Sequence, residues 1–422
     1  MDPQATHTYR RVMARVVAPL AALIVLSSVD RVNISFAAMA MRHDIGLGQA
    51  AYGLGAGLFF VGYLLCQLPS MALLQRVGAR RWIAFSVIGW GLTAGAMSLI
   101  QVPWQFFVLR VILGAFESGF APGVVWYVSL WLPEAWRGRS IGLTLLAIPL
   151  SVILGGPLCG WLLKLEVAGL PGWRLMFAAE GLATVLAGLA AAAWFVDGPA
   201  QARWLSAESR WWIARALAAE DGPKAVAAPL DMPALWRCAL LWLVLVTSAN
   251  GLIFWLPSAI GGTGIRNPLA IGVLTALPWI AIALGMMLNA RHSDRTGERY
   301  RHLGVAMLLG AVGLAVAGFV GGGAVALGAL MLGGLGLGGA QSVFWTIPTA
   351  RFAGARARAI ALINLCGNVG SVVAPAAIGW IAQKSGALAM PVVALACWLA
   401  LSVLLILPLE KSPIISSLRS RL

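Results

Sequence analysis

The sequence predicts an all-α polytopic membrane protein, twelve transmembrane helices in two six-helix halves. Three observations carry that expectation. The 422 residues are 60% hydrophobic and only 11% charged, against roughly 25% charged in a soluble domain. The apolar residues come in runs long enough to span a bilayer, which takes about 20 residues as a helix. Polar punctuation then repeats between the two halves at one fixed offset.

The runs place spans near 16–40, 50–74, 82–101, 104–128, 140–163 and 175–196, then 236–257, 268–290, 302–320, 324–349, 359–382 and 388–409. The longest polar interruption, 197–237, separates six spans from six. The expected organisation is a first bundle over 1–196, a linker over 197–235, and a second bundle with a short tail over 236–422. Within the linker, RWLSAESRWWIARALAAE sets Trp204, Trp211, Trp212 and Ile213 beside Arg210 and Arg215. This fits a short helix on the inner membrane face, aromatic side down; a solvated linker with some helix fits as well. No signal-peptide cleavage pattern precedes the first run, which is long enough to stay in the membrane.

The net charge of +15 would suit a nucleic-acid binder if the basic residues clustered on one surface. They do not. With both termini cytoplasmic, 23 of the 30 Lys and Arg fall in inner loops and tails, and 5 in outer loops. That is the positive-inside asymmetry, and it removes the nucleic-acid reading. A multi-pass protein of the bacterial cytoplasmic (inner) membrane is expected, as a monomer. The five cysteines lie in or beside apolar runs without a CxxC pair and read as packing residues. GLGLGG (334–339) satisfies GxGxxG but lies inside an apolar run. It reads, like GLGAG (53–57), as a close-approach GxxxG pattern. No metal motif, P-loop or nucleophile–base set is present, so neither an enzyme nor a cofactor is expected.

The repeat is specific. QRVGARRW (75–82) and DRTGERYR (294–301) are 219 residues apart, as are RGR (137–139) and RAR (356–358), and the Gly-Trp pairs at 160 and 379. A duplicated six-helix unit follows, and transporters built from such repeats bind substrate near the midplane. DRTGERYR matches the D-R-x-G-x-R loop signature of the major facilitator superfamily, with Asp294, Arg295, Gly297 and Arg299 in its positions. QRVGARR is a weaker counterpart carrying Arg76, Gly78 and Arg80. Within that superfamily, DRVNISFAAM, GYLLCQLPS, RVGARRW, RVILGAFESGFAPG, FWLP and ALINLCGNVGSVVAP resemble the anion:cation symporters, permeases for galactonate, tartrate, phthalate and hexuronate among them. The resemblance implies two bundles related by a pseudo-two-fold axis, rocking about a central site. It also implies proton-coupled uptake of an organic anion such as a sugar acid, a tartrate-like dicarboxylate or an aromatic carboxylate.

The charges inside the spans are where that chemistry would reside. SSVDRVNIS (27–35) puts Asp30 and Arg31 in the middle of the first span. Each charge costs at least about 2.5–3.5 kcal/mol on insertion scales, so both must face a cavity or polar partners. Adjacent residues point about 100° apart on a helix, which separates their tasks. Ser27 and Ser35 stand one turn to either side of Arg31. Partners for both charges are expected on the fourth span, where Arg110 and Glu117 lie two turns apart on one face with Gly114 between. Arg31 is the candidate for the substrate carboxylate, since a guanidinium can present two donors at once. Asp30 and Glu117 are the candidate proton carriers, with Arg110 tuning Glu117; the resemblance assigns the coupling carboxylates to these same positions. The alternative is that these charges form structural ion pairs. Glu180, near an outer end, reads as structural.

The second half offers neutral groups instead. The offset carries Asp30 and Arg31 to Ala249 and Asn250. Gln341, Ser342 and Trp345 in the tenth span, Asn364 and Asn368 in the eleventh, and Tyr63 in the second are the candidate substrate contacts. Each could equally hydrogen-bond between helices. The expected partners are therefore a small organic carboxylate, protons and the lipid bilayer. Two alternatives remain: an anion or drug exporter or antiporter of the same fold, and a non-transporting membrane receptor.

Overall fold

The structure, a computed structural model, describes residues 3–133, 136–137, 140, 147–167, 169–219, 229–262, 264–352 and 355–410. Nearly all of it is helix. The described residues hold 11 helices long and apolar enough to cross a membrane. In chain order these are α1 (Thr6–Asp44), α2 (Gln49–Val77), α3 (Ala79–Leu99), α4 (Pro103–Ser129), α6 (Gly172–Trp194), α8 (Met232–Gly261), α9 (Pro268–Thr296), α10 (Tyr300–Val320), α11 (Gly323–Arg351), α12 (Arg358–Ser385) and α13 (Ala389–Leu409). The shorter α5 (Ala147–Leu162) lies in the fifth expected span, whose residues 141–146 are outside the described residues, as are Gly138 and Arg139 of RGR. The linker contributes α7 (Ala207–Ala218).

Only helices satisfy every backbone donor and acceptor within one segment, which hydrocarbon demands. The ends are set by local chemistry. Pro103 and Pro268 open α4 and α9, where the first N–H has no helical partner to lose. Asn267 and Asp231 cap α9 and α8 through their side chains. Large apolar side chains such as Leu68 and Phe319, each 80% exposed, face outward, as lipid-facing residues do.

The chain packs as two compact units. Unit 1 comprises Met1–Ile34, Leu58–Gly155 and Leu162–Lys224; unit 2 comprises Ser35–Gly57, Gly156–Trp161 and Ala225–Leu422. In unit 2, Gly53 and Gly57 of α2 press on the backbone carbonyls of Pro375 and Val372 in α12, and Gly334 and Gly338 of α11 on those of Pro278 and Ile282 in α9. The two glycine patterns are therefore close helix contacts. In unit 1, α7 is capped by Ser206 and buries Ser209 and Ile213. Its approach segment docks inward: Trp204 stacks on Trp131 with centroids 5.5 Å apart, and Arg11 donates to the Trp204 carbonyl. The expected aromatic membrane face is thus corrected at Trp204, which packs on protein. Trp211 is the exposed ring, and it lies under the Arg215 guanidinium.

Candidate functional site

Within unit 1, α1, α2 and α4 assemble the charged residues. Glu117 is 1% exposed and ends the first half of α4. The helix breaks at Ser118 and Gly119, the latter at φ 73°, and resumes at Phe120. The break frees the Ser118 carbonyl, which accepts from Ser70 Oγ at 2.7 Å; Trp82 Nε1 in turn donates to that hydroxyl at 3.1 Å. A discontinuous helix at a charged site is the kind of irregularity a membrane tolerates only where protein or a cavity covers it.

Arg31 Nη2 donates to Glu117 Oε2 at 2.6 Å, and Ser27 Oγ donates to the same oxygen at 3.0 Å. Ser27 and Arg31 are one turn apart on α1, so both reach the carboxylate from one face. Glu117 Oε1 and Arg31 Nε are left without a hydrogen-bond partner among the described residues. The Arg31 side chain is 33% exposed while that of Glu117 is fully buried. The pair therefore has an acceptor and a donor to spare, and its cation is the accessible member.

The aromatic floor of this site was not foreseen. Phe59 is completely buried, with the Arg31 guanidinium 5.1 Å and the Arg110 guanidinium 4.8 Å from its ring centroid. Cations over an aromatic face gain up to about 2 kcal/mol once desolvated. Tyr63, one turn on, adds a second ring 5.7 Å from Arg31. Position Phe59 was legible as the i−4 neighbour of Tyr63 on α2, but in GLFFVGY it reads as one more apolar residue. The α2–α4 spacing depends on Gly114, whose added Cβ would collide with the Phe59 carbonyl, and on Gly62, which meets that of Val111.

Asp30 departs from expectation. The fourth span was to supply its partner; instead Thr184 Oγ1 of α6 donates to Asp30 Oδ2 at 2.8 Å. The 100° between neighbouring side chains turns Arg31 towards α4 and Asp30 towards α6. Glu180, also on α6, accepts from Asn33 Nδ2 at 2.8 Å and joins the same buried face. Arg110 is fully buried with its guanidinium over the Phe59 ring, and Arg31 is ion-paired with Glu117.

In unit 2, Trp345 packs on Trp242 with centroids 4.7 Å apart, and Trp242 stacks on Phe344. Gln341 and Ser342 are half-buried on α11, and Ser342 Oγ donates to the Gly339 carbonyl. Asn364 is exposed and Asn368 half-buried, one turn apart on α12. Asn250, the counterpart of Arg31, donates to Ser371 Oγ and to the Val246 carbonyl, both at 3.0 Å. It serves as a helix-to-helix tie. Trp242 carried no sequence signal.

The two loop motifs are each wired locally. In unit 2, Gly297 adopts φ 69° to end α9, and Arg299 turns back to Asp294 at 2.7 Å and to Ser293 Oγ at 3.0 Å. In unit 1 the acidic position is Gln75, and Asp197 fills the role from beyond α6. It accepts from the Arg80 backbone N–H at 2.9 Å and abuts Gly78 at φ 86°, while Arg80 Nε donates to the Ala192 carbonyl at 2.6 Å. Arg76 and Arg295 are exposed.

Long apolar helices carrying buried, paired charges beside a helix break fit a polytopic membrane transporter. The comparisons agree. The Major Facilitator Superfamily model matches residues 20–375, and the chain belongs to that family. It is 38% identical over 414 residues to a putative tartrate transporter of Agrobacterium vitis, covering 96% of this chain and 95% of that one. It is 37% identical over 388 residues to a quinolone resistance transporter of Acinetobacter baumannii, covering 90% and 89%. Among solved structures, an inward-facing, occupied bacterial homologue of the human lysosomal transporter Spinster superposes with TM-score 0.77 at 18% identity, covering 95% of this chain and 97% of the other. The xylose transporter XylE of E. coli, in a partially occluded inward-open conformation, gives 0.74 at 13%, covering 95% and 100%.

Proposed function

We propose that this transporter is a proton-coupled symporter that takes up a small organic anion, a tartrate-like dicarboxylate being the leading case, by alternating access. Both termini would face the cytoplasm at a bacterial inner membrane, and the halves over 1–196 and 236–422 would move about the site. The observation that carries the proposal is the Arg31–Glu117 pair, 2.6 Å long, with a partly exposed guanidinium on a buried carboxylate. A substrate carboxylate competes with Glu117 for Arg31. Proton binding at Glu117 neutralises the carboxylate and releases the guanidinium, so proton and anion bind together rather than in opposition. Arg31 Nε and the aromatic floor of Phe59 and Tyr63 complete the anion's half of the site. The amides of Gln341, Asn364 and Asn368, with Ser342 and Trp345, would meet hydroxyls or ring atoms of the substrate. Asp30 is the second proton carrier, and Arg110 holds the local field positive through the shared Phe59 ring. The loop residues Arg76, Gly78, Arg80, Asp294, Arg295, Gly297 and Arg299 would latch the conformational change.

One observation favours a second reading, outward movement of a drug or anion by exchange: the relative in Acinetobacter baumannii is named for quinolone resistance. Proteoliposomes separate the two. Symport accumulates labelled tartrate when the outside is made acidic, and the uptake collapses with a protonophore. Exchange moves label only against preloaded substrate, or expels quinolone in the same gradient, and either result alone would overturn the symport assignment.

A further inference from the structure

Four polar side chains meet in the core of unit 1 away from the Arg31–Glu117 pair. Asp30 and Asn33 come from α1, Glu180 and Thr184 from α6, and none is more than 7% exposed. Thr184 donates to Asp30 and Asn33 donates to Glu180, each at 2.8 Å. Asp30 and Asn33 are one turn apart on α1, and Glu180 and Thr184 one turn apart on α6, so these two hydrogen bonds set the two carboxyl groups on one buried interface. Asn33 is 1% exposed, and its Oδ1 has no hydrogen-bond partner among the described residues. A buried acceptor of this kind calls for a donor, and neither carboxylate can supply one while ionised. Two like charges in a low-dielectric interior also repel strongly. A single proton answers both demands: it removes one charge and supplies an O–H that an acceptor such as Asn33 Oδ1 can take.

We propose that Asp30 and Glu180 form a carboxyl pair that holds one proton between α1 and α6, with Asn33 Oδ1 as the acceptor of its O–H. Binding forms one O–H bond and takes the pair from two negative charges to one; release reverses both changes. Glu180 is then a positioning residue that fixes the acidity at which Asp30 gives up its proton. Among the described residues, the other charged groups near Asp30 are these. Glu117 of α4 is the other buried carboxylate of unit 1, and Arg31 is directed to it. On the α5 side, Val29 meets Gly155, which carries no charge. Use of this proton in transport rests on the symport reading, but its presence is tested without transport.

Infrared difference spectra of the purified full-length protein, titrated with pH in an E117Q background, read the carbonyl stretch of protonated carboxyls. A protonated carboxyl band is expected at neutral pH and is expected to vanish in the D30N/E180Q double variant. Glu180→Gln should lower the midpoint of the remaining Asp30 band by about 1 pH unit or more, because a like charge is gone. Thr184→Val should raise it, because the ionised form loses its donor. This second variant keeps the test readable should E180Q fail to fold. Absence of the band at neutral pH, or a midpoint that stays put in both variants, overturns the proposal. So does a band that responds to exchanging sodium for choline at constant pH, which would make the occupant an alkali cation. Loss of tartrate accumulation with an intact titration would instead indict the symport reading alone.

Discussion

Arg31 Nη2 stands 2.6 Å from Glu117 Oε2, bridging α1 and α4 across 86 residues of sequence. The pair is asymmetric, since only the arginine can be reached by solvent or substrate. Truncating one member of a buried charge pair costs about 3–5 kcal/mol, because the other charge is left without compensation.

Removing the guanidinium should therefore lower stability, and on the proposed function it should also weaken substrate binding. Arg31→Lys keeps the charge but loses the planar fork, and should weaken tartrate binding by roughly 10-fold to 100-fold, measured by titration calorimetry on purified protein. Arg31→Ala should abolish it. A dissociation constant unchanged in either variant takes Arg31 out of the site.

Glu117→Gln mimics the protonated carboxyl permanently. The variant should bind tartrate at least as well as the parent and still support counterflow into preloaded vesicles. Accumulation driven by an acid-outside gradient should be lost. Concentrative uptake at the parental level would mean the proton travels elsewhere.

Backbone contact between α2 and α4 gives a stability prediction. Gly114→Ala pushes a methyl into the Phe59 carbonyl, and overpacking of this sort costs about 1–3 kcal/mol. The thermal midpoint should fall accordingly. Gly328→Ala in α11, where an added Cβ meets nothing within 4 Å, is the control and should be neutral or slightly stabilising. Equal melting of the two variants would reject the close approach.

Asp231 yields a pH dependence outside the membrane. The hydrogen bond from Arg351 Nη2, 2.7 Å long, holds its carboxyl below the usual range, helped by the Ala234 N–H. A folded-state value lower than the unfolded one of about 3.9 stabilises the fold above that pH. The contribution is lost as pH falls through the lower, folded-state value. Asp231→Asn retains the helix cap, so the melting difference between parent and variant should shrink from about pH 6 to about pH 3. A constant difference would assign the effect to packing alone.

Much of this architecture is written locally. Run lengths, the 219-residue offset and basic loops need no tertiary information, and neither does the angular separation of Asp30 from Arg31. What lay beyond reach was which neighbour each face would meet. Asp30 went to α6 because helix packing, a long-range matter, decides what stands 100° away from α4. The helix break in ESGFAPG was present as Ser118-Gly119, yet Ser-Gly pairs also occur inside unbroken spans. The satisfying partner, Ser70, is 48 residues distant. Asp197 replacing the missing acid of the first loop motif was hidden for the same reason. Phe59 was hidden differently, since an apolar residue serving two cations is spelled like any lipid-facing one.

Gly62 and Gly114 bring α2 and α4 together backbone to backbone, and atoms in van der Waals contact along two helices cannot slide without lifting apart. Phe59, Tyr63 and Glu117 accordingly behave as one casting. On the proposed alternating-access reading, the distance from ring to carboxylate would stay fixed while the long side chain of Arg31 exchanges partners. Discrimination between anions would then belong to the fixed casting, and commitment to one of them to a single rotating arm.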